Sequence, residues 1–310
     1  MIPRTSSTLV CAALAIALLV PGPLFSLPTK PSAAAAPATV DFRELLHFAL
    51  LNASVRYETN EAIKTQWSRT YDNLSVVWIP KTNNRYLVGT IDSRKVQEIA
   101  VRGTTNLRNL LYDLRFLKSY NPYLGISVHH GFELMALALY QSIKPLLHRS
   151  YSLCISGQSL GAAEALILAM LLSRDGYRVE RVITFGQPKV TDAEGAARYA
   201  YLPLVRVVDQ NDPVALLPPA NMFYRDNPYV QFGEEVDLLE GPYYAIRDRD
   251  GSRAPLPGAL VDNLTLSGLK TLLREHNIRS YVRSLRSKLT APIRVPYGKR
   301  EAYVAPQYRD

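Results

Sequence analysis

Hydrophobic positions repeat with a helical period in some segments of the chain and with a strand-like pattern in others. Leucine and alanine recur every three or four residues from Asp41 to Trp67, which predicts two helices. Short runs of β-branched and aromatic residues, separated by turn residues, predict strands at 74–79, 85–91 and 96–101. Further along, the patterns predict helices at 106–117, 131–147, 160–173 and 192–199 and strands at 152–156, 181–185 and 203–208.

The alternation of strands with helices indicates the fold class. It is typical of an α/β fold with a mostly parallel central sheet and helices on both faces. In such a sheet the active site lies at the carboxyl ends of the strands. Residues 221–265 lack a clear period, and their turn residues and prolines predict a hairpin and loops before a final helix. No linker interrupts 41–285, so we expect one catalytic domain.

The N-terminal part of the chain differs in composition from this domain. An apolar run from Leu9 to Val20 follows Arg4 and precedes a tract of alanine, proline and serine, as in a signal peptide. An uncleaved membrane anchor is the alternative, and both predict export, to a secreted or periplasmic location or to the membrane surface. The predicted domains are a signal peptide or anchor with spacer at 1–38, a catalytic domain at 39–288 and a basic tail at 289–310.

Charge and cysteine content narrow the range of partners. The formal net charge is +9, and basic residues are frequent from Arg283 to Asp310, which favours either transient contact with an anionic lipid surface or a simple solvated end. No zinc-finger spacing or series of interleaved aromatic residues accompanies these charges, so we expect no nucleic-acid partner. Cys11 lies in the apolar N-terminal run, so Cys154 is left without an internal disulfide partner after processing.

The strongest chemical signal is Gly157-Gln-Ser159-Leu-Gly161, which lies between a predicted strand and a predicted helix. A serine at such a turn is held above the sheet, and the glycines on either side leave room for the tight backbone. The amino end of the helix then directs free amides towards an oxyanion beside Ser159. An ordinary polar turn is the alternative, but the strand–turn–helix setting favours a nucleophile.

A serine hydroxyl needs a histidine base, and the histidine needs a carboxylate to orient it. In this arrangement the acid and then the histidine follow the serine along the chain, and among five histidines only His276 follows Ser159. The candidates for the acid are Asp192, Asp209, Asp212 and several carboxylates within 226–250. Asp212 is preferred because Pro213 ends strand pairing and leaves this side chain at the carboxyl end of the strand.

Six motifs in order resemble those of the class 3 lipases, the family of the secreted fungal triacylglycerol lipases, over nearly all of 41–285. They are Val101-Arg-Gly-Thr104 with Tyr112-Asp-Leu114, His130-Gly-Phe132, Gly157-Gln-Ser-Leu-Gly161, Thr184-Phe-Gly-Gln-Pro188, Arg206-Val-Val-Asp-Gln-Asn-Asp-Pro213 and His276 with Tyr281. The resemblance implies an α/β-hydrolase fold and a triad of Ser159, Asp212 and His276.

The resemblance also implies supporting roles. Thr104 falls where the family has one oxyanion-hole residue, and Leu160 falls where the second amide is supplied. Asp113 falls on the aspartate that steadies the oxyanion loop, and Gly157 and Gly161 flank the nucleophile.

The chain departs from the family pattern at two positions near Ser159. Gln158 stands where the family often has histidine, and Ala162 stands where glycine is frequent.

The sequence also predicts an amphipathic helix between Thr104 and Phe116. Its leucines Leu107, Leu110, Leu111 and Leu114 share one helical face. This helix is either a lid that opens on lipid or a helix packed permanently on the core.

The predicted reaction is transfer of an acyl group from a lipid ester to water, with no metal or organic cofactor. A triacylglycerol is the expected substrate; the alternatives are a phospholipase A1, a monoacylglycerol lipase or an esterase for short-chain or feruloyl esters. A binding protein with this fold but without catalysis is a further alternative, against which the complete set of triad residues argues. The expected partners are a lipid or ester substrate and, transiently, a lipid surface, with no obligate protein partner.

Overall fold

The computed structural model describes residues 40–103, 117–210, 212–218, 226–247 and 276–306. The chain from Asp41 to Asp310 forms one compact unit. The predictions for 1–38, Thr104, the possible lid helix and Asp113 lie outside the described residues. No helix within the described ranges has the length and apolar character needed to cross a membrane.

A nine-stranded sheet forms the centre of the described part of the unit. Its strands are β1 (Asn73–Ile79), β2 (Asn84–Ile91), β3 (Val96–Val101), β6 (Ser152–Gln158), β7 (Arg178–Phe185), β8 (Leu204–Asp209), β9 (Glu234–Leu238), β10 (Tyr243–Arg247) and β11 (Ile293–Arg294), and they lie side by side in that order. Strands β3, β6, β7, β8 and β9 pair in parallel, whereas β1, β2 and β3 pair antiparallel. The prediction of a mostly parallel central sheet is therefore confirmed.

Six helices are described, and four of them form two pairs that pack on this sheet. The helices are α1 (Phe42–Tyr57), α2 (Asn60–Trp67), α3 (His130–Ile143), α4 (Leu160–Arg174), α5 (Ala193–Arg198) and α6 (Ile278–Arg286). The pairs are α1 with α6, and α3 with α4; α1 also contacts β3, and α4 also contacts β6 and β7. Every residue of α4 from Leu160 to Leu172 is buried. Alanine and leucine occupy all sides of this helix, so it has no polar face to turn towards water.

A small antiparallel hairpin lies apart from the central sheet and is not among the predicted elements. It consists of β4 (Lys118–Asn121) and β5 (Ile126–His129), and Asn121 Oδ1 accepts a hydrogen bond from the amide of Leu124 within its turn. The second hairpin, β9 and β10, lies within the stretch 221–265 for which the turn residues predict one.

The carboxyl-terminal segment packs more closely on the domain than a separate tail beginning at residue 289 would. Strand β11 pairs with β10, and Val295 and Val304 are buried in a cluster with Leu239 and Ala245. These apolar side chains anchor the segment as far as Ala305. The basic residues between Val295 and Val304 are therefore part of the domain itself.

Candidate active site

The turn between β6 and α4 holds Ser159 in a strained conformation. Its backbone has φ 62° and ψ −128°, a region that residues with a side chain rarely adopt. The amide of Ser159 donates a hydrogen bond of 2.9 Å to the carbonyl of Phe185 on β7, which fixes the turn against the sheet. A Cβ on Gly157 would lie 2.1 Å from the carbonyl oxygen of Gly161, so the turn needs glycine there.

Asp212 and His276 form a buried pair. His276 Nδ1 lies 2.7 Å from Asp212 Oδ2, and these residues are 2% and 0% exposed. The second oxygen, Asp212 Oδ1, accepts a hydrogen bond of 2.9 Å from the amide of Val214, and the Tyr281 hydroxyl also donates to Oδ2. With three donors around it, the carboxylate is fixed in one orientation.

The same contacts set the ionisation of Asp212. Burial by itself raises the pKa of this carboxyl, but His276 and the donors Tyr281 and Val214 act in the opposite direction and leave the pKa below its ordinary value. Asp212 therefore stays ionised at neutral pH. An ionised carboxylate at Nδ1 keeps the opposite nitrogen of His276 available as a base.

The other predicted candidates for the acid have different partners. Asp209 Oδ2 accepts a hydrogen bond of 2.7 Å from Ser280, and burial raises the pKa of Asp209 to about 6. Asp192 is the N-cap of α5, and its Oδ2 accepts from Asn227 at 2.9 Å. Among the aspartates that the structure describes, only Asp212 hydrogen-bonds to His276.

The structure brings the pair to the same edge of the sheet as Ser159. Ser159 follows the carboxyl end of β6, and Asp212 follows that of β8. Ser159 Oγ and His276 Nε2 are both buried, and neither has a hydrogen-bond partner among the described residues. Loose geometry between nucleophile and base is common before a substrate tightens the site.

Gln158 connects the turn that holds Ser159 with His276, a contact that the sequence alone does not predict. Its Nε2 donates a hydrogen bond of 2.7 Å to the backbone carbonyl of His276, and the side chain is 3% exposed. The substitution of glutamine at a position where the family often has histidine is the only sequence signal for this contact.

Two backbone segments border Ser159 where an oxyanion would form. Leu160 is the first residue of α4, and a helix does not supply a partner for the amides of its first turn. On the other side, a Cβ on Gly103 would lie only 3.2 Å from Ser159 Cβ and 2.5 Å from the carbonyl oxygen of Gln158. The backbone at Gly103 therefore passes directly beside Ser159.

No metal centre accompanies this site in the described ranges. They contain no group of three or more histidine, cysteine, aspartate or glutamate side chains that could hold an ion. The single cysteine they contain, Cys154, is buried, and burial raises the pKa of its thiol to about 12, so it is not a thiolate ligand or nucleophile at neutral pH.

Replacing Gly186 by alanine is expected to lower ester hydrolysis by about 100-fold, since misplacement of about 1 Å in an active site has effects of this size. The new Cβ would lie 2.6 Å from Asp212 Oδ2 and 2.7 Å from His276 Cε1, so the pair must move. The measurement is kcat on a soluble p-nitrophenyl ester, together with the thermal unfolding midpoint.

Gly241→Ala is the matched control for backbone strain. Gly241 has φ +59°, close to the +57° of Gly186, but no atom lies within 4 Å of the position of its Cβ. Both variants should lose about 1 kcal/mol of stability from the left-handed conformation, and only Gly186→Ala should lose activity. Equal activity in the two variants would contradict the predicted displacement of the Asp212–His276 pair.

Known proteins resemble this chain in sequence and in structure. Residues 98–222 match the family model described as lipase (class 3). The lipase of Rhizomucor miehei is 35% identical over 210 residues, which cover 60% of this chain and 55% of that protein. The secreted mono- and diacylglycerol lipase 1 of Fusarium solani is 29% identical over 160 residues, which cover 47% of this chain and 46% of that protein.

A solved triacylglycerol lipase, whose catalytic centre is formed by a serine protease triad, superposes with a TM-score of 0.51 and 25% identity over 67% of this chain and 83% of that one. The likeness confirms the predicted α/β-hydrolase fold. The chain spans about half the length of the curated relatives that it matches.

Proposed function

We propose that the chain, whose residues 98–222 match the class 3 lipase model, belongs to this family and hydrolyses carboxylic esters of lipids with Ser159, Asp212 and His276 as its catalytic triad. The observation that carries the proposal is the buried Asp212–His276 pair, 2.7 Å apart, at the sheet edge where Ser159 is held in a strained turn. Strain of this kind at the carboxyl end of a strand is typical of functional positions.

The reaction begins with attack by the Ser159 hydroxyl on the ester carbonyl, while His276 Nε2 accepts the hydroxyl proton. Asp212 remains ionised and stabilises the imidazolium that forms. The amide of Leu160, at the positive end of α4, and Thr104 stabilise the oxyanion. His276 then protonates the leaving alcohol, and an activated water hydrolyses the acyl-enzyme by the reverse sequence of proton transfers.

A lipid ester is the proposed substrate class. The relatives are a lipase and a mono- and diacylglycerol lipase, and both names support an acylglycerol over a soluble ester. The Fusarium solani relative is a secreted protein, which supports export of this chain by its N-terminal segment. We propose a triacylglycerol or a partial acylglycerol as the substrate, reached at a lipid surface.

The test is hydrolysis of a series of p-nitrophenyl esters from acetate to palmitate, followed by emulsions of triolein, monoolein and phosphatidylcholine. We expect a preference for long acyl chains and activity on an acylglycerol emulsion. Activity on phosphatidylcholine alone would instead indicate a phospholipase A1, and activity confined to short soluble esters would indicate an esterase. A wild type that binds lipid but hydrolyses none of these esters would contradict the proposal.

A further inference from the structure

Helix α4 carries one charged side chain inside its otherwise apolar buried stretch. Glu164 lies five residues after Ser159 and is 0% exposed. A buried carboxyl group loses its hydration, so it is retained at a cost unless its surroundings supply compensating interactions. The ester-cleaving mechanism described above makes no use of it.

The partners of Glu164 lead towards the end of β3. Asn84 Nδ2 donates a hydrogen bond to Glu164 Oε2, and Asn84 Oδ1 accepts one of 2.7 Å from the amide of Arg85. The carbonyl of Arg85 in turn accepts a hydrogen bond of 2.9 Å from the amide of Arg102. Glu164 is therefore linked through the start of β2 to the residue that follows β3.

Arg102 is itself tightly held. Its Nη2 donates a hydrogen bond of 2.6 Å to the carbonyl of Asn83, and its guanidinium lies 4.6 Å from the ring centroid of Trp78. A Cβ on Gly161 would lie 2.7 Å from the carbonyl carbon of Arg102, so this backbone packs against the first turn of α4. The next residue is Gly103, which borders Ser159.

Two polar atoms of this cluster lack hydrogen-bond partners among the described residues. Within the described ranges, Glu164 Oε1 and Arg102 Nε are buried and have no hydrogen-bond partner, and no ion pair joins the two side chains. An acid and a guanidinium that are both buried and incompletely satisfied gain from pairing with each other when the acid ionises.

We propose that Glu164 is a positioning residue for the backbone beside Ser159: when ionised, its carboxylate attracts the guanidinium of Arg102 and thereby fixes Arg102 and Gly103, the residues that precede Thr104. The inference rests on the proposed function, because Thr104 has its oxyanion role only in ester hydrolysis. Glu164 touches neither the substrate nor the triad, and it acts through Asn84 and Arg102 alone.

The pH dependence of Glu164 ionisation makes this positioning role testable. Burial raises the pKa of Glu164 to about 8, although the hydrogen bond from Asn84 and the charge of Arg102 oppose the rise. The other charges that act on the cluster are Arg85 and Arg56, which both face Arg102. Glu164 is thus mainly neutral at pH 7 and mainly ionised at pH 9.5, where its attraction for Arg102 is strongest.

The experiment compares kcat and KM of the wild type and Glu164→Gln on p-nitrophenyl butyrate between pH 7.5 and 9.5. Glu164→Gln keeps every other titrating group, so the difference between the two pH profiles reports Glu164 alone. We expect wild-type kcat to rise about fourfold across the range, in step with the ionised fraction of a group with a pKa of about 8, and Glu164→Gln to show no rise. KM should be the same in both proteins.

Glu133→Gln is the matched control, since Glu133 is a buried carboxyl group on α3 that accepts from Asn121 at 2.7 Å and, among the described residues, has no hydrogen bond to Glu164, Asn84 or Arg102. Glu133→Gln should keep the wild-type rise in kcat with pH, whereas Arg102→Gln should lose it. Arg102→Gln is also the test if Glu164→Gln does not fold. Parallel pH profiles in the wild type and Glu164→Gln would overturn the inference and leave the proposed function intact. A wild type that neither hydrolyses esters nor reacts with a fluorophosphonate would overturn both.

Discussion

Replacement of Ser159 by alanine is expected to lower ester hydrolysis by about a million-fold, as removal of the nucleophile does in other serine hydrolases. Without the hydroxyl there is no acyl-enzyme, and the oxyanion donors and substrate binding leave only a small residual rate. The measurement is kcat on the p-nitrophenyl ester preferred by the wild type, with unfolding midpoints recorded for both proteins. Binding to lipid emulsions should persist in the variant.

Ser156→Ala is the matched control for this prediction. Ser156 is another buried serine of β6, and its Oγ donates a hydrogen bond of 2.9 Å to the carbonyl of Ile99. Its loss should reduce stability by about 1 kcal/mol and leave kcat within a few-fold of the wild type. If Ser159→Ala keeps the wild-type rate, the proposed nucleophile is wrong, and another residue carries out the hydrolysis.

The turn that holds Ser159 could be predicted from the sequence because its constraints are local. Glycine is required at positions 157 and 161 by the neighbouring backbone, and both the strand before Ser159 and the helix after it have clear hydrophobic patterns. A tight turn between two such elements has few possible geometries. His276 could then be identified by elimination, since no other histidine comes after Ser159 in the chain.

The acid could not be fixed from the sequence by spacing alone. Asp209 and Asp212 lie three residues apart, at the end of the same strand and just after it, and both are buried. Asp209 ends β8 and faces Ser280, whereas Asp212 follows the strand and faces His276. This difference depends on the position of α6, whose amino end carries Ser280 and follows the histidine, and such long-range packing leaves no trace in a local pattern.

Contacts between distant segments explain the other features that the sequence did not reveal. The hydrogen bond from Gln158 to the His276 carbonyl joins residues 118 positions apart, and the one from Asn84 to Glu164 joins residues 80 positions apart. A glutamate on an alanine-rich helix is expected at the surface, but neighbours bury α4 on every side. The hairpin of β4 and β5 was missed because its strands are only four residues long.

Asp212→Asn is expected to lower kcat/KM by about ten thousand-fold while leaving the fold intact. Asparagine has nearly the same shape, but its amide nitrogen cannot accept the hydrogen bond from His276 Nδ1, and an uncharged group does not stabilise the imidazolium. The Tyr281 hydroxyl and the Val214 amide, which now donate to Asp212, also favour the carboxylate. The measurement is kcat/KM on a soluble ester from pH 6 to 9, with circular dichroism to check folding.

Asp209→Asn separates the loss of this acid from the loss of any buried carboxylate near it. An asparagine at this position can still accept the hydrogen bond that Asp209 now accepts from Ser280. This hydrogen bond links the end of β8 to the amino end of α6. We expect kcat/KM within tenfold of the wild type, because no hydrogen bond joins Asp209 to His276 among the described residues. A larger loss in Asp209→Asn than in Asp212→Asn would reverse the assignment, since it would mean that the histidine takes its orienting charge from the end of β8.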